Sequence, residues 1–180
     1  LCRALVTLEC LMTRNIPERL YREFFSLHPD SYIFPEVPNR NLVEFIQQFR
    51  PLKEGLSAVD LGCGEGRNSV FLAKEGYNVL SIDLSATIIK KGIERFAKQS
   101  AIDYCVGEIT SLLIRSETFD LAVDITTLNN EKSHKRRRYV KEVRRILKKK
   151  GHYYVSVVSV KDPSCQKKCP KRHFILGKSG

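Results

Sequence analysis

The stretch VDLGCGEGRNSVFLAKEGYNVLSIDLS, Val59 to Ser85, constrains the fold more than any other part of the chain. An apolar, strand-like run breaks into Gly62, Gly64 and Gly66 within five residues. A helical pattern follows, stopped by Gly76, and a second apolar run ends in an acid, Asp83. Glycine has no Cβ to obstruct a neighbour, so a strand that turns into a helix through such a loop brings bare backbone and a helix N-terminus up to a ligand. Strand, crossover helix and strand in succession are the repeating unit of a parallel sheet.

The rest of the chain continues that alternation. Strands are predicted at Ala58–Leu61, Asn78–Asp83, Asp103–Val106, Phe119–Ile125 and His152–Val160. Helices are predicted near Pro17–Leu27, from Asn41 (with Glu44 as a capping box) to Phe49, over Asn68–Glu75, and over Ala86–Lys98. In the last of these Ser85 is the cap and Ile88, Ile89, Ile93 and Phe96 form the inner face. A further helix, ending at Gly151, has Tyr139, Val140, Val143, Ile146 and Leu147 on one stripe. The fold class is therefore α/β, a mostly parallel Rossmann-like sheet with helices on both faces. Its 180 residues, 42% hydrophobic, suffice for one compact domain, read as residues 41–180 behind an N-terminal helical or lid segment, 1–40.

Asp83 stands 21 residues after Gly62, at a strand end, where a carboxylate can accept both hydroxyl protons of a ribose. The ligand class is thus adenosine-containing. The dinucleotide fingerprint G-x-G-x-x-G is not met, because the spacing is G-x-G-x-G and the sixth position is Arg67. Asp60, two residues before Gly62, argues the same way. A fixed carboxylate 4 Å from a pyrophosphate charge would cost about 1 to 4 kcal/mol. S-adenosylmethionine has no phosphate and carries an ammonium and a sulfonium, so the acid becomes an asset.

These residues resemble the class I S-adenosylmethionine-dependent methyltransferases. AVDLGCGEG (Ala58–Gly66) is similar to their first motif, SIDLS (Ser81–Ser85) to the second and YCVGEI (Tyr104–Ile109) to the third. FDLAVD (Phe119–Asp124) and ILKKKGHYYVSV (Ile146–Val157) resemble their fourth and fifth strands. GRNSVFLAKEGYNV is similar to the branch with tellurite-resistance and thiopurine-type methyltransferases. The resemblance covers Asn41–Val160 and implies S-adenosylmethionine as cofactor and methyl transfer as activity. It implies that Asp60, Gly62, Cys63 and Gly64 surround the methionyl end, that Asp83 holds the ribose with Leu84 against the adenine, and that Glu108 and Ile109 meet the adenine edge and face. Glu108 departs from the aspartate usual there. Residues Asp124–Thr127 would lie beside the methyl group, and DITTLNN lacks the motif of adenine amino-group methylation. Two antiparallel strands usually follow the fifth; with about 20 residues left after Val160, the C-terminal strand pair is expected to be incomplete.

Each residue also has a plain structural reading. Asp60 caps the loop, Cys63 is a small packing residue, Glu108 is a solvated strand-end acid, and Arg67 and Asn68 either bind a carboxylate or satisfy loop backbone. The aromatic segment Tyr21–Phe34 is either a lid or a packed helix and loop. Cys165, Cys169 and His173 supply three spaced candidate ligands with no obvious fourth, so no metal site is expected. The net charge of +11 is concentrated: Glu131–Lys150 holds eleven Lys/Arg and two acids. That excess reads as the solvated face of one helix, with RNA binding through residues 132–150 as the alternative. No run suits a membrane span, and scattered cysteines, with Cys63 and Cys105 in buried-looking strands, point to a reducing cytoplasm. The acceptor favoured is a small molecule; a cofactor-binding module without catalysis is the reading from a different class.

Overall fold

The computed structural model describes residues 37–48, 55–96 and 98–159. Within them β1 (Ser57–Leu61), β2 (Asn78–Asp83), β3 (Ile102–Val106), β4 (Phe119–Ile125) and β5 (Leu147–Ser156) form one sheet in the order β3-β2-β1-β4-β5. All four pairings are parallel. The helices are α1 (Arg40–Gln48), α2 (Arg67–Lys74), α3 (Ala86–Arg95), α4 (Thr127–Asn130) and α5 (Ser133–Ile146). The order reverses between β1 and β4, and in such sheets the ligand crevice opens beyond the strands' C-terminal ends at that reversal.

Two apolar clusters cover the two faces. Leu42 and Ile46 of α1 and Val70 and Leu72 of α2 pack on Ala58, Val79, Leu121 and Val123. Tyr139, Val143 and Ile146 of α5 pack on Val59, Leu61, Ile82 and Ala122 on the other face, with Ile109 and Leu112 of the β3–β4 connection. Alternate residues of β1 thus serve opposite cores, as the period of two requires. No helix spans the β3–β4 connection, Gly107–Thr118, and Leu112 and Ile109 fill part of the space a helix would cover.

The strands fall where their apolar runs place them, and the differences lie at termini. Asn39, not Asn41, caps α1: Leu42 N donates to Asn39 Oδ1 at 3.1 Å, while Glu44 pairs with Arg40 one turn back. Ser85 caps α3 as expected, accepting from Ile88 N. That helix stops at Arg95 rather than Lys98, and Ile93 is 48% exposed. Gly92 holds the inner position instead, where a Cβ would come within 2.7 Å of the Glu65 carbonyl oxygen. Cys105 is exposed rather than buried, because β3 is the sheet's edge strand and α3 packs on it at Tyr104, whose side chain lies on the opposite face from that of Cys105.

The largest correction concerns the basic helix. It ends at Ile146, five residues before Gly151, and β5 begins at once with Leu147 in an extended conformation. Leu147 pairs with Phe119 and His152 with Leu121, so Lys148–Gly151 form a bulge. Gly151 is required there by close approach rather than as a helix stop, since a Cβ on it would meet the Phe119 carbonyl oxygen at 3.0 Å. The N-terminal segment 1–36, with the Pro17–Leu27 helix and the Tyr21–Phe34 lid, lies outside the described residues, as do Cys165, Cys169, His173 and the C-terminal strand positions.

Candidate functional site

The glycine turn leaves β1 in a left-handed path: Gly62, Gly64 and Gly66 have φ of +73°, +58° and +94°. Side chains with a Cβ disfavour that region, and here the space is also taken. A Cβ on Gly62 would overlap Thr127 Oγ1, and one on Gly66 would lie 2.5 Å from the Tyr104 hydroxyl. The turn is stitched to the end of β2, with Gly62 N and Cys63 N donating to the Ile82 carbonyl at 2.8 and 3.0 Å. Gly64 N then donates to Asp83 Oδ2 at 3.0 Å. Gly66 is the left-handed residue from which α2 starts, so the helix N-terminus and the β2 acid share one crevice.

Three carboxylates are buried at these strand ends: Asp60 on β1, Asp83 on β2 and Asp124 on β4, at 1%, 3% and 0% exposure. Asp60 accepts from Ser69 Oγ of α2 at 2.6 Å. Burial pushes its carboxyl up to about 6, the Ser69 bond opposes this, and the Asp124 and Asp83 charges raise it further; Arg67 is the weakest influence. Asp83 accepts from Ser85 N at 2.9 Å and from Gly64 N, and burial again outweighs these bonds and raises its pKa. Taking charges out of water without an opposite charge is costly. The crevice is therefore short of positive charge, which is the condition a cationic ligand meets.

Asp124 is the most enclosed of the three. It accepts from the Tyr139 hydroxyl at 2.8 Å, the Tyr153 hydroxyl at 3.1 Å, Thr127 N at 2.8 Å and Leu128 N. Burial raises its pKa and those bonds pull against it. The bonds hold the turn into α4, where Thr126 takes a left-handed φ of +67° and Thr127 Oγ1 donates to the Leu61 carbonyl at 2.9 Å. Asp124 thus anchors the turn that closes over Gly62.

The fold brings Asp60, Gly62, Cys63, Gly64, Asp83 and Asp124 to one end of the sheet, the strands' C-terminal edge. Cys63 is buried with its thiol donating to the Gly64 carbonyl at 3.3 Å, and burial holds it protonated, consistent with the packing reading. Leu84 is half-buried beside Asp83 and Ile109 is 7% exposed in the second core. Glu108 carries an ion pair: Lys135 Nζ lies 2.8 Å and Thr110 Oγ1 2.6 Å from its Oε1, and the Lys135 bond holds its pKa low. Asn68 accepts from Asn39 N at 2.9 Å, and Arg67 Nη1 donates to the Val37 carbonyl at 3.4 Å. Ser69, Tyr104 and Tyr153 had no signal in sequence; they follow only once the sheet fixes which strands are neighbours. Among the described residues no group of His, Cys, Asp or Glu could hold a metal ion.

Residues 59–155 match the model of the methyltransferase domain. The chain belongs to the methyltransferase domain family. The match runs from Val59 in β1 nearly to the end of β5, so it contains every buried site residue described above. The chain is 39% identical over 71 residues to phosphoethanolamine N-methyltransferase 1 of Caenorhabditis elegans, covering 39% of this chain and 15% of that protein. It is 31% identical over 133 residues to human EEF1A lysine methyltransferase 2, covering 68% of this chain and 56% of that one. The chain spans only part of the curated relatives it matches. A solved structure of a SAM-dependent methyltransferase from Methanosarcina mazei superposes with a TM-score of 0.56 at 25% identity, over 66% of this chain and 57% of that chain. Family and fold make this a class I methyltransferase domain whose cofactor is S-adenosylmethionine.

The crevice fits that cofactor. Asp83 accepts from Gly64 N on Oδ2 and from Ser85 N on Oδ1, with Leu84 N as a third backbone donor, and a carboxylate so engaged keeps acceptor capacity for a ribose hydroxyl. Asp60 and its neighbouring carboxylates offer an ammonium and a sulfonium the opposite charge that the protein itself does not supply in full.

Proposed function

We propose that the chain transfers a methyl group from S-adenosylmethionine to a small-molecule acceptor. The observation that carries the cofactor half is the glycine turn bonded to Asp83, with Asp60 buried and raised beside it. Held by the glycine turn, Asp60 and Asp83, S-adenosylmethionine would supply an already activated methyl group to a nucleophile placed in line with it. This chain's part is to bind, orient and exclude water, which together remove several kcal/mol of barrier. Asp124, closed by four donors, is a positioning residue for the α4 turn rather than a base.

For the acceptor, the support is where the cations of the basic groove sit. Lys141, Arg144, Lys149 and Lys150 lie along the last turns of α5 and the start of β5, and Ser116 and Glu117 come just before β4. Those are the strands' N-terminal ends, whereas the glycine turn and Asp83 follow C-terminal ends. A nucleic acid on that surface would be held away from the crevice. Two of the arginines are also structural: Arg136 donates to the Glu131 and Asn129 carbonyls, and Arg145 to the Ile114 and Leu112 carbonyls and to Glu142. Tyr139, the aromatic of α5, is fully buried, so no ring on that helix is free to stack on a base. A protein lysine is the second reading, favoured by the match to the human EEF1A lysine methyltransferase. The unbridged Cys63 and Cys105 suit a reducing compartment, the cytoplasm. No helix among the described residues is long and apolar enough to cross a membrane.

The test is methyl-labelled cofactor incubated with the chain and a cell extract, then separated by ultrafiltration. A labelled filtrate species that chromatography resolves from unreacted cofactor, and that does not form without the chain, supports the small-molecule reading. Label retained on protein establishes the second reading, label on RNA refutes both, and cofactor binding with no transfer to any fraction identifies a non-catalytic module.

A further inference from the structure

We propose that the groove between α5 and the bulged start of β5 docks an acidic, partly apolar segment of another protein. The groove has a volume of about 770 Å³ and lies at the sheet end opposite the glycine turn. Its floor includes Val140, which is 43% exposed, and Leu147, which is half-buried. Lys141, Arg144 and Lys149 stand on its rim, and Glu117 is the acid in its lining. Lys148 is held by Asp120 at 2.8 Å, while Lys141, Arg144 and Lys149 have no carboxylate partner among the described residues. Arg137 precedes Lys141 by four residues and Arg144 follows it by three, so the three share one stripe of α5 that runs into the bulge.

Charge complementarity selects the occupant. Residues 161–180 of this chain carry six Lys/Arg and one acid, and a second copy brings a net charge of +11, so neither matches a cationic rim. An extended segment alternating Asp or Glu with an aliphatic side chain does: the acids meet the rim and the aliphatic groups cover Val140 and Leu147. RNA would meet the rim alone, since the groove's ring, Tyr153, has its hydroxyl turned to the buried Asp124. The site is distinct from the cofactor crevice and does not depend on which acceptor is methylated.

The test uses fluorescence anisotropy of the whole chain with three labelled probes of equal length: a peptide alternating Glu and Leu, an all-Glu peptide and an oligouridylate. The expected order is Glu–Leu tightest, with affinity falling as salt rises. The variant K141E/R144E/K149E should weaken that peptide by about tenfold or more while S-adenosylmethionine affinity is unchanged. Val140→Asp should remove the preference of Glu–Leu over all-Glu. No Glu–Leu binding, tighter binding of the oligouridylate, or full binding by the triple variant with cofactor affinity intact would each overturn the proposal.

Discussion

The two ends of the sheet are opposites in how charge is handled. At the C-terminal edge Asp60, Asp83 and Asp124 are buried, hydrogen-bonded and raised in pKa, in a crevice built from glycines. At the other, Lys141, Arg144 and Lys149 stand in solvent around a groove. A chain with a net charge of +11 therefore has a functional centre short of positive charge. Net charge reports the surface and not the site, because surface cations cost little and buried acids remain only where geometry holds them.

The strongest way to break the comparison is to fill the glycine end. Gly62→Ala should destabilise the fold by about 3 kcal/mol or more in denaturant unfolding, combining a left-handed φ with a clash on Thr127. The double variant with Thr127→Ala should recover the clash and keep the conformational cost. No loss in the single variant would mean that the turn has another path.

Next in size is Asp83→Ala, which should weaken cofactor binding by about 1 to 3 kcal/mol in a folded protein, by removing a charged acceptor. Asp60→Asn should separate stability from function. The folded pKa, about 6, lies above the ordinary 3.8, so the native state binds more protons than the unfolded one between those values. Stability contributed by Asp60 thus falls as pH rises through that window. The asparagine variant escapes this, and its advantage without cofactor should grow to about 1 to 3 kcal/mol by pH 7, with weaker cofactor binding as the opposite effect. In the parent chain cofactor affinity should fall below about pH 6, as Asp60 protonates. An asparagine variant less stable at every pH would show that Asp60 is a structural acceptor alone.

The smallest effects belong to the basic end and sharpen the distinction within it. Lys141→Gln and Lys149→Gln should each move unfolding by less than about 0.5 kcal/mol. Arg145→Gln should cost about 1 to 2 kcal/mol, since it releases the Leu112 and Ile114 carbonyls and Glu142. Equal effects at all three would erase the division between solvated and structural cations.

How far the sequence reaches follows the same division. β2 and β4 are legible to the residue because each is an apolar run bounded by a turn residue or an acid, and Gly76 does end α2 in the left-handed conformation. The glycine turn and Asp83 are legible because their chemistry requires a spacing. The Ile146–Leu147 boundary is not, because three lysines before a glycine suit the last turn of a helix as well as a bulge; only the Phe119 backbone beside Gly151 decides it. Likewise Ser69 beneath Asp60, and Tyr139 and Tyr153 on Asp124, are partners across elements that local pattern does not pair.

The central claim is that this crevice takes a cationic adenosyl ligand and no pyrophosphate. Titration calorimetry of the whole chain with S-adenosylmethionine, its demethylated product and NAD tests it directly. The account predicts binding of the first two, weakened by about 1 to 3 kcal/mol in Asp83→Ala, and none of NAD. Binding of NAD with no binding of S-adenosylmethionine would contradict it.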